Sequence, residues 1–412
     1  MQTRSSSTAG KKNQILSLYH LLDPEVLANP YPLYQQLRSE DPVHWDPFLH
    51  AWIVTRYADV ITVFQQFSAD RTPTPEQLTG LGLSALTPLA EVMVRQMLFL
   101  DAPAHGRVRG LASKAFTARR VERLRAHIQE ITDQLLDAVQ QQGSMDIIAD
   151  LALPLPAIVT AEMLGVPTSD WKQLTAWSAD FAQVLGNFQH DPEHATRVMH
   201  SLNAMCEYFR ASVQEHRANL RDDLISAFLT AEINGDRFSE EEVIANTIVT
   251  MVGGQETTTN LIGNGVLTLL KHPEQLELLK ADPSLLPSAV EELLRYESPS
   301  QHTARLAPAD VELGGKMIRK RQAVIAVMGA ANRDPERFAE PDRLDLTRQD
   351  NRHVAFARAS HFCFGAPLAR IEGQIALGTL LARMPHLTLK PETLTWRENL
   401  GLRGLTKLPV TF

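Results

Sequence analysis

The spacing of apolar residues predicts helix through most of the chain. Apolar positions recur at helical intervals over residues 60–300 and again over residues 367–384, so both segments are predicted to be helical. Short segments with alternating apolar residues, and a Gly-Gly turn at Gly314-Gly315, indicate β-structure. These strands are predicted within residues 42–57, 310–330 and 387–412.

The predicted strands come from both ends of the chain, which favours one continuous body. We therefore expect a mainly α fold with a smaller β-rich part (α+β), formed as a single domain by residues 15–412. Residues 1–14 are rich in Ser, Lys and Gln and have little apolar surface to bury, so they are predicted to form a flexible N-terminal tail.

One predicted helix is much longer than the others. Ser239-Glu240-Glu241-Glu242 has the pattern of a capping box that begins a helix, and His272-Pro273 is expected to end it after Lys271. Its interior contains the adjacent glycines Gly253 and Gly254, each of which costs roughly 1 kcal/mol relative to alanine. Either the close approach of a flat ligand or helix–helix packing would explain this cost.

Composition and charge exclude several classes of protein. The net charge of −8 disfavours general nucleic-acid binding, and no apolar run is long enough to span a membrane. The two cysteines, Cys206 and Cys363, are too few for a structural zinc site or a four-thiolate iron–sulfur cluster. We therefore expect a cytoplasmic protein, and we interpret Cys206 as buried and structural.

Cys363 lies in a segment of small residues that precedes a predicted helix. Pro367 suits the first turn of a helix, so Cys363 lies just before a helix N-terminus, where backbone N–H groups favour a thiolate. Taken alone, a single cysteine is more often a buried apolar residue. The surrounding residues change this interpretation, because Phe356 and His361 precede Cys363 and Gly365 follows it at short, defined intervals.

This segment resembles the haem-binding loop of the cytochrome P-450 family of the soluble bacterial type. The resemblance rests on Phe356, His361, Cys363, Gly365 and the following Leu-Ala-Arg. It implies the P-450 fold with its long central helix over haem b, Cys363 as the axial ligand of the haem iron, and Phe356 and Gly365 as cofactor-binding residues. The family usually has glycines at the positions of Ala357 and Ala359. The methyl groups of these alanines would either strain the loop or shift the hydrogen bonds to the sulfur.

The middle of the long helix carries an acid–alcohol pair, Glu256-Thr257. A structural interpretation is that the Thr257 hydroxyl bonds back to the preceding turn. The run from Gly253 to Thr258 resembles the oxygen-activation helix of the same family. The resemblance implies that Thr257 and Glu256 are catalytic residues that deliver protons, and that Gly254 binds the cofactor.

The resemblance also implies roles for basic residues. Partners of the haem propionates would be His105, Arg109, Arg305 and His361, although basic residues more commonly form a solvated face. Glu292 and Arg295 lie three residues apart on one predicted helix and, with Arg348, resemble the structural Glu-Arg-Arg triad of the family.

The predicted function is that of a haem-thiolate monooxygenase. It would insert one oxygen atom from O₂ into an apolar or amphipathic small molecule, as a monomer supplied with electrons by a ferredoxin and a ferredoxin reductase. A docking surface for an acidic partner would include Arg107, Arg352 and Arg358. The alternatives are a peroxide-driven peroxygenase and a non-enzymatic haem-thiolate sensor. The walls of the substrate pocket are predicted at Arg71–Leu100, Ala179–His190, Ile248–Gly254, Pro299–Ala304 and Gly401–Leu405.

Overall fold

Helices dominate the fold, which confirms the predicted α+β class. The computed structural model describes residues 15–186 and 192–412, so the predicted tail at residues 1–14 and part of the predicted wall Ala179–His190 lie outside the described residues. The α-helices are α1 Pro24–Ala28, α2 Tyr31–Glu40, α3 Tyr57–Gln66, α4 Pro75–Gly80, α5 Thr87–Met93, α6 Ala104–Ala115, α7 Ala118–Arg123, α8 Arg125–Asp137, α9 Pro154–Leu164, α10 Trp171–Gly186, α11 Pro192–Ala218, α12 Leu224–Thr230, α13 Glu240–Lys271, α14 Pro273–Ala281, α15 Leu286–Tyr296, α16 Met328–Ala331 and α17 Ala366–Arg383.

The long helix α13 is confirmed at both predicted ends. The Ser239 hydroxyl accepts the Glu242 N–H and the Glu242 carboxylate accepts the Ser239 N–H, which completes the capping box. With 32 residues, α13 is about 48 Å long. Apolar residues on most sides of it are buried, and it packs against α9, α10, α11, α15 and α17. It is therefore the centre of the core.

The strands form small sheets at the periphery of the helical body. The strands are β1 Val43–Asp46, β2 Ala51–Val54, β3 Ser144–Asp146, β4 Glu232–Ile233, β5 Asp236–Arg237, β6 Thr303–Leu306, β7 Val311–Leu313, β8 Lys316–Ile318, β9 Ala323–Ala326, β10 Thr388–Leu389 and β11 Pro409–Thr411. The main sheet has the order β1-β2-β9-β6, in which β2 and β9 are parallel. A second sheet has the order β10-β11-β3, and β4-β5 and β7-β8 are hairpins.

Several predicted boundaries are wrong. The segment 60–300, predicted as helical, contains β3 and the β4-β5 hairpin, whose turn Asn234-Gly235 has positive φ at both residues. An Asn-Gly turn is the strongest short-range hairpin pattern, so this hairpin was predictable. The segment 387–412 has only two short strands, and β6 begins before the predicted range 310–330.

No helix in residues 15–186 and 192–412 is both long enough and apolar enough to cross a membrane.

Candidate active site

A cavity of about 310 Å³ lies between the middle of α13 and the segment that leads into α17. Four of the five predicted pocket walls contribute to it, whereas the described residues of Ala179–His190 do not. Gln301, which lies within the predicted wall Pro299–Ala304, donates to the Ser298 carbonyl and does not line the cavity. The larger aliphatic side chains of the lining are Met97, Leu98, Met163, Val249, Leu261, Leu294, Met328, Leu368 and Leu402.

Cys363 lies at the wall of this cavity, just before α17. Its N–H donates to the Phe356 carbonyl at 2.9 Å, and this bond closes the loop between Phe356 and Cys363. Burial raises the pKa of the Cys363 thiol, while the N–H groups of Gly365 and Ala366 oppose the rise. The helix N-terminus therefore favours the thiolate, as predicted, although burial has the larger effect on the pKa of Cys363.

The loop before Cys363 contains two residues with left-handed backbone. Ala357 and Ala359 both have a φ of 56°, a region that favours glycine because a Cβ crowds the backbone there. These are the two positions at which the sequence departs from the family pattern. The strain that was predicted from their methyl groups has a definite origin in these dihedral angles.

The four residues predicted to hold propionates lie together at one end of the cavity region. The rings of His105 and His361 are 4.1 Å apart, and the Nε2 atom of His105 is buried without a hydrogen-bond partner. Arg109 donates to the Phe362 carbonyl at 2.9 Å. Arg305 donates to the Ala304 carbonyl at 2.8 Å, while its Nε is buried and unpartnered.

Burial and mutual repulsion lower the pKa values of this cluster. Burial lowers the pKa of Arg305 to about 10, and burial together with Arg305 lowers the pKa of His361 to about 3. The histidines are therefore neutral near pH 7, and the arginines carry the positive charge. Such a cluster binds a group with negative charge.

The two glycines of α13 have different surroundings. A Cβ on Gly253 would meet no atom within 4 Å, and this residue is exposed to the cavity. A Cβ on Gly254 would lie 3.0 Å from the Thr160 hydroxyl of α9. Gly254 therefore serves helix–helix packing as well as lining the cavity, and Gly253 provides the open surface that a flat ligand needs.

Thr257 and Glu256 point in different directions from α13. Thr257 lines the cavity and its hydroxyl donates to the Gly253 carbonyl at 2.8 Å. Glu256 is buried outside the cavity lining, 3.6 Å from Arg397, and burial raises the pKa of its carboxyl. The structure therefore brings Thr257, but not Glu256, to the cavity.

The predicted scaffold residues form one buried network. Arg295 donates twice to the Glu292 carboxylate at 2.8 Å, and the Arg348 Nε donates to the same carboxylate at 3.1 Å. Arg295 also donates to the carbonyls of Asn332 and Pro341. The network therefore ties α15 to the irregular segment that leads to Cys363.

The structure also places residues at the cavity that the sequence analysis did not single out. These are Arg71, His302 and Glu372. Burial lowers the pKa of His302 to about 4 and raises the pKa of Glu372 to about 8. The Thr258 side chain opposes part of the rise in the pKa of Glu372. The one indication in the sequence was the apolar context of Glu372 on the helix that follows Cys363.

A cysteine facing an open stretch of a long helix, with a cationic cluster to one side, is the site of a haem-thiolate protein. The family model described as Cytochrome P450 matches residues 83–402 of the chain. The chain therefore belongs to the cytochrome P450 family, and it is an oxidoreductase that incorporates oxygen.

Curated relatives and solved structures agree with this assignment. The chain is 41% identical over 392 residues to the biotin biosynthesis cytochrome P450 of Bacillus subtilis (strain 168), covering 94% of this chain and 97% of that protein. It is 39% identical over 392 residues to vitamin D(3) 25-hydroxylase of Pseudonocardia autotrophica, covering 93% and 94%. The structure of P450BioI in complex with an acyl carrier protein ligated to hexadec-9Z-enoic acid is similar with a TM-score of 0.88 and 41% identity, covering 94% of this chain and all of that one.

The residues at the cavity fit the haem that the family implies. The flat porphyrin needs an open face, which Gly253 would provide, and one metal ligand, which Cys363 would provide, since both residues line the cavity. The propionates need donors, and His105 Nε2 and Arg305 Nε are buried donors without partners. No group of three or more His, Cys, Asp or Glu residues in the described chain could hold a metal ion.

Proposed function

We propose that this protein is a haem b monooxygenase that receives its electrons from a separate ferredoxin, which a ferredoxin reductase reduces. The observation that carries the proposal is the position of Cys363 and Thr257 in one cavity beside a cationic cluster. Haem held by a thiolate supplies the activation of dioxygen, because the sulfur donates electron density that favours O–O cleavage.

Six residues of the site would bind the haem. Cys363 would hold the iron, with its sulfur oriented by the N–H groups of Gly365 and Ala366. His105, Arg109, Arg305 and His361 would bind the propionates, and Phe356 would pack against the cofactor, since all but His105 line the cavity. Each of these roles follows from the position of a donor or of an apolar surface.

Protons would reach the cavity at Thr257 Oγ1. The hydroxyl donates its hydrogen to the Gly253 carbonyl at 2.8 Å, so it would first turn away from that carbonyl, then pass on its proton and accept another from water. Glu256 would supply protons to Thr257 after rotating away from Arg397. At 3.6 Å the contact between Glu256 and Arg397 is longer than a hydrogen bond, so an ion pair alone opposes this rotation.

The proposed substrate is an apolar or amphipathic molecule with a long aliphatic part. The aliphatic lining supports this, since it offers few polar partners away from the cationic end. A second candidate is an acyl chain presented on a carrier protein, and the similarity to the P450BioI complex favours it. Comparison of hexadec-9-enoic acid with the same acyl group on an acyl carrier protein distinguishes free from carrier-bound substrate.

The proton-delivery role is tested with Thr257→Ala. We expect oxidised product per electron pair to fall by at least about tenfold, with the missing electrons released as hydrogen peroxide. Thr247→Val is the matched control, because Thr247 lies in the same helix, buried and outside the cavity lining. Unchanged coupling in Thr257→Ala would refute the role, and equal turnover with peroxide alone would favour the peroxygenase.

The proposed electron donor is acidic and docks near Cys363. Arg107 and Arg352 were predicted to contribute positive charge, but Arg107 pairs with Glu242 and Arg352 pairs with Asp350 at 3.0 Å. Arg358 forms no ion pair within the described chain and is the stronger candidate. Electron transfer should slow as salt rises, and a rate independent of salt would refute electrostatic docking.

A further inference from the structure

Arg71 is a guanidinium at the cavity with few partners in the chain. It follows the helix α3 by a short segment, and its Nη1 donates to the Ala69 carbonyl at 3.2 Å. Its guanidinium carbon lies 4.6 Å from the centre of the Phe99 ring, which holds the side chain against the wall. These contacts fix the direction of Arg71 but leave most of its five donors unused.

No carboxylate of the described residues lies within ion-pair distance of Arg71. The same is true of Arg305 and Arg109, the other two arginines of the cavity lining. Elsewhere, three of the four buried arginines of the described chain have carboxylate partners, and these are Arg295 with Glu292, Arg333 with Asp342 and Arg403 with Glu297. The fourth, Arg38, donates to the Ala330 carbonyl. The cavity thus concentrates positive charge that the protein leaves unneutralised.

Arg71 is also close enough to the other cations to be affected by them. Burial lowers the pKa of Arg71 to about 9, and repulsion from Arg305 adds to the decrease. Arg71 in turn lowers the pKa of His361. Placing a third guanidinium beside Arg305 is costly unless a bound anion offsets the repulsion.

We propose that Arg71 binds a carboxylate inside the cavity, which makes it a ligand-binding residue in addition to the four cations predicted from the sequence. The carboxylate is either a haem propionate or the acid group of the substrate. Both have the same planar geometry, which suits the paired N–H groups of a guanidinium. The inference rests on the proposed function, because that function supplies both ligands.

The experiment compares holoenzyme with Arg71→Gln and Arg71→Lys variants in two assays. The first is the rate of haem loss to a haem-scavenging protein. The second is the affinity for hexadec-9-enoic acid relative to its methyl ester, measured from the change in the absorption spectrum. Arg95→Gln is the matched control. Arg95 lies in the same predicted wall, Arg71–Leu100, but its guanidinium donates to the Glu91 carbonyl and it does not line the cavity.

A propionate ligand predicts that Arg71→Gln speeds haem loss about tenfold or more, with unchanged preference for acid over ester. A substrate ligand predicts that the preference for the acid falls by a similar factor, with unchanged haem loss. Arg71→Lys should restore part of either effect, because it keeps the charge. A merely structural role would not be rescued in this way.

The proposal is overturned if Arg71→Gln matches the wild type in haem loss and in acid preference, or if Arg95→Gln has the same effect. Failure of the proposed function gives a different result. In that case the wild-type protein itself would lack a thiolate-ligated haem, as judged by its reduced, carbon-monoxide-bound spectrum.

Discussion

The Glu292 carboxylate is a buried acceptor on which a large part of the irregular chain before Cys363 depends. Its side chain is fully buried, as is that of Arg295. Besides the two bonds from Arg295 and that from Arg348, it accepts the Asp345 N–H at 3.0 Å and the Asn351 amide at 3.1 Å. The substitution Glu292→Gln changes the shape very little but removes the charge and one acceptor.

The expected cost is large because two guanidiniums lose their counter-charge. Removing one partner of a buried ion pair lowers the free energy of unfolding by about 3–5 kcal/mol, and a typical domain has a total of roughly 5–15 kcal/mol. The damage should extend to the cofactor site. Arg295 bonds the Asn332 carbonyl, and the Asn332 side chain accepts the Val354 N–H at 2.7 Å, nine residues before Cys363.

The assay is chemical denaturation of purified holoprotein, together with haem content per chain. Glu122→Gln is the control, because Glu122 pairs with Arg125 on the surface at 2.5 Å, where an ion pair is worth about 0–1 kcal/mol. We expect Glu292→Gln to be several kcal/mol less stable than this control and to retain less haem. A difference below about 1 kcal/mol with full haem content would refute the reasoning.

Two further predictions follow from the same region. Ala357→Gly and Ala359→Gly should each raise the free energy of unfolding by about 0.5–1 kcal/mol, because glycine relieves the left-handed strain by more than it adds conformational entropy to the unfolded chain. Chemical denaturation measures this change, and destabilisation by either substitution would contradict the reasoning. Burial raises the pKa of Glu372 from 4.5, the value in the unfolded chain, to about 8 in the folded protein. Its carboxyl therefore destabilises the fold increasingly as the pH rises from 4.5 to about 8. Glu372→Gln should therefore raise the thermal midpoint more at pH 8 than at pH 5, and an equal change at both pH values would contradict the assignment.

Local patterns predicted those parts of the fold that local interactions determine. The capping box at Ser239 and the proline after His272 set the ends of α13, and Gly314-Gly315 marked the β7-β8 hairpin. The segment 387–412 was predicted poorly because its strands pair with distant partners. β11 lies against β3, which is more than 250 residues earlier in the chain, so its length depends on β3 and not on local alternation.

The candidate site was predictable where residues belong to a dense motif. Cys363, Phe356 and Gly365 lie within ten residues of one another, and their pattern is specific. Arg71 is a lone arginine in a Thr- and Pro-rich segment of the sequence. Its proposed binding role depends on its contact with Phe99 and its proximity to Arg305, which only the folded chain shows. The side-chain direction of Glu256, toward Arg397, likewise depends on a contact that no local pattern encodes.

The central claim is that the Cys363 thiolate binds haem, and the absorption spectrum of the reduced, carbon-monoxide-bound protein tests it most directly. The account predicts a strongly red-shifted Soret band for the wild type, and loss of that band in Cys363→Ser. A band at the position typical of imidazole ligation, or a red-shifted band that persists in Cys363→Ser, would contradict the account.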